Sequence, residues 1–167
     1  MITTKIHREL EDVLMEPKAL GVKEAYFVIA GNNQNITVLN PGKNGNEYNK
    51  TYGHFHRWMG IETYNCLFGQ GILIMQRNDE NGEAKEFKVV TLHPGRQFEV
   101  PAGYGHTVVN IGKEYLVVLD NAPNDIDHDY ATVKEKQGFA YYIVEKKGEI
   151  AFDLNPNYRV HPQISTE

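Results

Sequence analysis

The chain has 167 residues, enough for one domain with a substantial core, and its formal net charge of −5 argues against a nucleic-acid or anionic-membrane partner. Hydrophobic residues make up 41% and charged residues 23%, as in ordinary globular proteins, and no apolar run approaches the roughly 20 residues of a membrane helix. Cys66 stands alone, which excludes an internal disulfide, and the opening residues lack the apolar stretch of a secretion signal, so the cytoplasm is the expected location.

From the N terminus, Ile6, Leu10, Val13 and Leu14 recur at i, i+4, i+7 and i+8, which predicts an amphipathic helical stripe in the first 16 residues, ended by Pro17. The same residues would suit an arm lying on a neighbouring sheet. Ala25 to Ala30 reads as a strand, Gly31 to Gln34 as a turn and Asn35 to Leu39 as the partner strand. Pro41 to Gly45 is a loop of turn formers. Strands are predicted over 63–68 and 72–77, flanking Gly69-Gln70-Gly71 as a tight hairpin. Asn81-Gly82 then turns the chain into a strand over 86–91. Short strands follow at 98–100, 107–110 and 115–119, then a helical turn over 128–137. A last hairpin around Lys147-Gly148 joins 139–145 to 149–154, and the tail beyond Asn155 is polar with two prolines. This rhythm predicts one all-β domain, a sandwich or barrel, with short helical segments near the N terminus and around 128–137.

Gly53-His54-Phe55-His56 sets two imidazoles two residues apart. On a strand such side chains leave from one face and can reach one point. Glu62 follows after five intervening residues, and a bend returning the chain would bring its carboxylate to that face. A fourth candidate, His106, lies in the segment from Gly95 to Asn110. Three neutral imidazoles and one carboxylate suit Fe(II), Mn, Ni or Zn, and octahedral geometry would leave two positions for substrate or water. A lone His-x-His pair is more often a solvated strand face. His7, His93 and His161 lack such company and are expected at the surface, and Cys66 reads as a small core residue rather than a nucleophile.

Gly95, Pro101, Gly103, His106 and Asn110 match every fixed position of the second cupin motif, G-x5-P-x-G-x2-H-x3-N. His54, His56, Glu62 and Gly69 match the H-x-H and E-x6-G parts of the first, although Tyr48 stands where its leading glycine belongs. The chain thus resembles the cupins, which implies a jelly-roll β-barrel holding one divalent ion on His54, His56, Glu62 and His106. The run from Thr37 to His56, with Pro41, Gly42, Lys43, Gly45, Glu47, Thr51 and Gly53, is similar to that of the cupin-type phosphoglucose isomerases. Glu62-Thr63-Tyr64, Gly69-Gln70-Gly71 and His128-Asp129-Tyr130 follow in the family's order.

This resemblance implies a metal-dependent isomerase interconverting glucose 6-phosphate and fructose 6-phosphate, Fe(II) foremost among the metals, acting as a homodimer. It also implies an N-terminal arm over 1–24, a cupin barrel domain over 25–156 and a tail over 157–167. By the same resemblance Thr37, Thr51 and Gly53 match phosphate-holding positions, with Lys43 either adding charge or lying solvated in its loop. Glu62 becomes the candidate base of an enediol route, a metal-assisted hydride shift being the alternative. His128 and Tyr130 become proton-handling groups at the sugar end, and Tyr64 either a pocket or a packing residue. The chain departs from the family in a His56-to-Glu62 spacing one residue shorter than is common. It also carries Ala122-Pro123 where related sequences tend to have Tyr-Pro. Two other functions use the same features, an Fe(II) cupin oxygenase and a non-catalytic sugar-phosphate-binding cupin.

Overall fold

Strand propensity governs the first residues. Ile2, Thr3, Thr4 and Ile6 are β-branched, which favours extended backbone. The computed structural model, which describes residues Met1–Glu167, accordingly begins with strand β1 (Ile2–Ile6). The predicted helix shrinks to a single turn, α1 (His7–Leu10), continued by a 3-10 turn over Glu11–Val13. The Glu9 carboxylate accepts from the Ile6 N–H at 3.0 Å and caps that turn. Leu10, Val13 and Leu14 are fully buried as the stripe required, while Ile6 stays exposed. β1 runs antiparallel to β2 (Glu24–Ala30), which forms a hairpin with β3 (Asn35–Leu39).

Next come β4 (Lys43–Asn44), β5 (Glu47–Tyr48), β6 (His54–His56), β7 (Glu62–Phe68), β8 (Gly71–Asn78) and β9 (Ala84–Leu92). They are followed by β10 (Gln97–Val100), β11 (Gly105–Asn110), β12 (Leu116–Asp120) and β13 (His128–Asp129). Helix α2 (Ala131–Glu135), β14 (Tyr141–Lys146), β15 (Glu149–Leu154) and β16 (Ile164–Thr166) complete the chain. The β8–β9 and β14–β15 hairpins turn where Asn81-Gly82 and Lys147-Gly148 predicted. Gly82, Lys147 and Gly148 take the positive φ that such turns demand. No helix is long and apolar enough to cross a membrane.

Three sheets result. One has the order β1-β2-β3-β12-β7-β10, a second β13-β6-β11-β8-β9-β16, and a third, smaller one β15-β14-β5-β4. The closed jelly-roll barrel implied by the cupin resemblance is not formed, because both large sheets end in free edges, β1 and β10 in one and β13 and β16 in the other. Closure needs an unbroken ladder from edge to edge. Here β6 and β13 offer three and two residues, and the segment before β6 touches β11 through one isolated bridge, Lys50 to Val109. What unites the sheets is a single hydrophobic cluster that includes Leu39 and Val118, Leu73 and Val90, and Tyr48 and Ile143, from the three sheets in turn.

The predicted hairpin at Gly69-Gln70-Gly71 is instead a crossing. β7 belongs to the first large sheet and β8 to the second, and the two do not pair. A side chain on Gly69 would meet the Tyr115 carbonyl, and one on Gly71 would lie 2.8 Å from the Val109 carbonyl. The chain passes between the sheets only because these residues lack a Cβ. The polar tail also holds a strand, β16, running parallel to β9 with Ile164 opposite Phe87.

Candidate metal centre

The short strand β6 lies between two histidine-bearing neighbours. His54 stands opposite His106 of β11, and His56 opposite His128 of β13. Strand alternation sends both β6 imidazoles to one face and Phe55 to the other, where its ring covers Gly105 and tilts against Phe139 at a 6.0 Å centroid distance. Gly53 lets the chain enter this position. Its φ is +82°, and a Cβ there would sit 2.6 Å from the Phe139 ring and 3.1 Å from the His106 carbonyl. Glu62 arrives from the other large sheet, as the first residue of β7.

Two overlapping groups of potential ligand atoms result, His54 with His56 and His128, and His56 with Glu62 and His106, each within a 4.8 Å span. The Nε2 atoms of His54 and His56 are 2.7 Å apart. Glu62 Oε2 lies 3.0 Å from His106 Nε2 and 3.3 Å from His56 Nε2. Atoms about 2.1 Å from a common ion lie about 3.0 Å apart in an octahedron and about 3.4 Å apart in a tetrahedron. The two separations from Glu62 fall in that range, and the one between His54 and His56 lies slightly below it.

Hydrogen bonding accounts for the contact between His54 and His56 but not for the rest of the crowding. Glu62 Oε2 and both ring nitrogens of His106 are buried without a hydrogen-bond partner. Protonation agrees with ligation. Burial, followed by His106, His128 and His56, holds His54 well below the ordinary histidine value. Burial likewise brings His56 down to about 4 and lowers His128. Burial alone would raise the Glu62 carboxyl, but His106, His56 and the Tyr64 hydroxyl outweigh it, so it stays ionised to below the usual carboxylate range. Neutral imidazoles beside an ionised carboxylate are the forms that bind a divalent cation. The donor set therefore fits a metal ion.

The cluster borders a cavity of about 580 Å³ between the two large sheets. Of the residues singled out from the sequence, Thr37, Thr51, Gly53, His54, Glu62, Tyr64, His106, His128 and Tyr130 line it. His56 contributes behind His54, their rings stacked at 4.7 Å. Tyr64 lies edge-on to His106 at 5.7 Å, and burial lifts its hydroxyl far above the normal tyrosine value. Tyr130, half exposed, meets His54 at 5.4 Å and Tyr52 at 5.6 Å. The Thr51 hydroxyl is already engaged, 2.9 Å from that of Thr107 and 3.1 Å from the Val108 N–H that donates to it. Lys43 is not brought to the cavity, because its ammonium pairs with Glu145 at the third sheet. Sequence reading passed over Asn35, Asp120 and Asn124, which also line the cavity. For Asp120 a signal existed, an acid on the same strand phase as Leu116 and Val118.

Stacked β-sheets with a histidine-rich, carboxylate-bearing cluster between them define a cupin-like protein with a candidate metal site. Sequence comparison narrows the class. The model of the Glucose-6-phosphate isomerase (GPI) family matches residues 18–159, and the chain belongs to that family. It is 39% identical over 124 residues to the glucose-6-phosphate isomerase of Pyrococcus furiosus, covering 74% of this chain and 62% of that protein. With the enzyme of Thermococcus litoralis the figures are 37% over 125 residues, 74% and 63%. The chain thus spans less than two thirds of these relatives' length. Among solved structures, Drosophila melanogaster CENP-C bound to CAL1 aligns over 67% of this chain and 80% of that one, with 11% identity and a TM-score of 0.46.

Proposed function

We propose that this chain interconverts glucose 6-phosphate and fructose 6-phosphate with one divalent ion held by His54, His56, Glu62 and His106. Family membership supports the reaction, and the observation that carries the site is the set of unpaired ligand atoms on Glu62 and His106, buried within ligand spacing of one another. When bound, the ion supplies Lewis acidity toward the carbonyl and hydroxyl oxygens of the sugar. Fe(II) is the ion we propose, with Mn, Ni and Zn as alternatives compatible with the same donors.

The chain's own residues supply the remaining steps. Isomerisation moves a hydrogen between C2 and C1 and a proton between the two attached oxygens. Glu62, ionised near neutral pH, is assigned the carbon-bound proton. His128 is neutral there and can take a hydroxyl proton, while Tyr130 beside it can return one. Tyr64 keeps its proton and is assigned as a hydroxyl donor toward the substrate or Glu62. Thr37, Thr51 and Gly53 are assigned to the phosphate, without Lys43.

The test is a coupled assay on fructose 6-phosphate after chelation and reconstitution with Fe(II), Mn, Ni or Zn. Activity should vanish with chelator and return with at least one metal. Glu62→Gln should lower kcat at least about 100-fold. No turnover with any of the four metals would sink the isomerase reading.

A further inference from the structure

A carboxylate outside the metal cluster borders the same cavity. Asp120, the last residue of β12, is only 6% exposed and points inward with Leu116 and Val118. Its Oδ1 accepts two hydrogen bonds, from Asn35 Nδ2 at 2.8 Å and from the Ala122 N–H at 3.0 Å. Its Oδ2 has no donor from the protein. That oxygen is reachable from the cavity, so a donor arriving there, water or ligand, would complete the carboxylate's hydrogen bonding.

The surroundings restrict that donor. No lysine or arginine lines the cavity, the Met1 ammonium at its edge donates to the Ala30 carbonyl, and Glu62 is a second carboxylate on the same wall as Asp120. An anionic group beside Asp120 would therefore be repelled. A neutral donor would not. Register sets Asp120 directly opposite Tyr64, the residue two positions along β7 from Glu62. Glu62 is thus a diagonal neighbour of Asp120, about 7–8 Å away, a distance that one sugar spans. Ala122, also on the cavity wall, has a methyl side chain with no donor to offer.

We propose that Asp120 is a substrate-binding residue, its Oδ2 accepting a hydrogen bond from the 2-, 3- or 4-hydroxyl of the sugar and so fixing how the sugar backbone lies against the metal cluster. This deepens the isomerase reading and rests on it. It also predicts that the phosphate lies away from Asp120. A purely structural role would be confined to Oδ1, which ties β12 to β3 through Asn35.

Asp120→Asn separates the two roles. An asparagine keeps an oxygen for Asn35 and Ala122 and turns the other position from an acceptor into an NH2 donor. Metal-replete wild type and variant are titrated calorimetrically with glucose 6-phosphate and with its 2-, 3- and 4-deoxy analogues. In wild type, one deoxy sugar should bind about 10- to 100-fold more weakly than the parent, the range of a hydrogen bond to a charged group. The variant should lose a similar factor for the parent and no longer distinguish that deoxy sugar from it. Metal content should be the same in both proteins.

Equal binding of the parent by both proteins overturns the proposal, as does wild type binding all three analogues as tightly as the parent. The second outcome is read on wild type alone and does not depend on the variant folding. Wild type that binds the sugars without turnover removes the isomerase reading, while the role of Asp120 is still decided by the titrations. Wild type that binds none of them removes both.

Discussion

Gly53 shows how much of the site rests on one missing side chain. Its positive φ and the nearness of the Phe139 ring and the His106 carbonyl leave no room for a methyl group without moving His54 or β11. Gly53→Ala should cost about 1–3 kcal/mol of stability. It should also weaken metal retention, because His54 follows directly. Chemical denaturation together with metal analysis checks this, and a variant equally stable and equally metallated would contradict it. At this scale much was legible. The spacing of His54 and His56, and the motif around His106, named groups that the strand register then set side by side. Other positions were not legible because they depend on pairing across the chain. Nothing local to Lys43 announces that Glu145 neutralises it, and nothing beside Asp120 announces that Asn35 leaves one of its oxygens free.

Between elements, Glu83 is the clearest cross-link. Buried immediately before β9, it accepts from Lys136 Nζ at 3.0 Å, just past α2, and from the Arg159 N–H at 2.8 Å in the C-terminal segment. Lys136 first, then the Arg159 N–H, brings its carboxyl down from 4.5 to about 2. A carboxyl lowered on folding stabilises the fold fully above its unfolded value and loses that contribution as pH falls through the folded one. The thermal midpoint should therefore drop as pH is lowered from about 4.5 toward 2. Glu83→Gln should start from a lower midpoint at neutral pH and show a shallower acid slope, and parallel pH profiles would argue against this clamp. Hairpins were readable because their turn chemistry is local, as at Asn81-Gly82 and Lys147-Gly148. The crossing at Gly69-Gln70-Gly71 was misread because glycine serves a tight turn and a close passage equally well. At the N terminus both readings were partly right, since Leu10, Val13 and Leu14 bury from helical turns while Ile2–Ile6 lies as an arm along β2.

At the scale of the whole molecule, the cavity exists because the two large sheets are joined by packing and not by a continuous ladder. An all-β chain was evident from the strand rhythm, but closure into a barrel is a matter of edges, which short sequence motifs do not encode. Because Glu62 comes from one sheet and the imidazoles from the other, a bound ion would tie the sheets together. An ion at 100 times its dissociation constant would add about 2.7 kcal/mol of stability. For a chain of this size that corresponds to a rise of about 5–10 °C in the thermal midpoint. Differential scanning calorimetry with and without chelator measures it. An unchanged midpoint in protein shown to contain metal would mean that the ion binds outside this junction.

The position of β6 in its sheet also bears on how the protein is made. Its partners are the strands of His106 and His128, dozens of residues downstream, so an emerging polypeptide carries His54 and His56 long before either neighbour leaves the ribosome. During that interval the paired imidazoles are a loose chelate open to whatever cation is at hand. Choice of ion is thus deferred until β11 is released with His106 and the cage first takes shape.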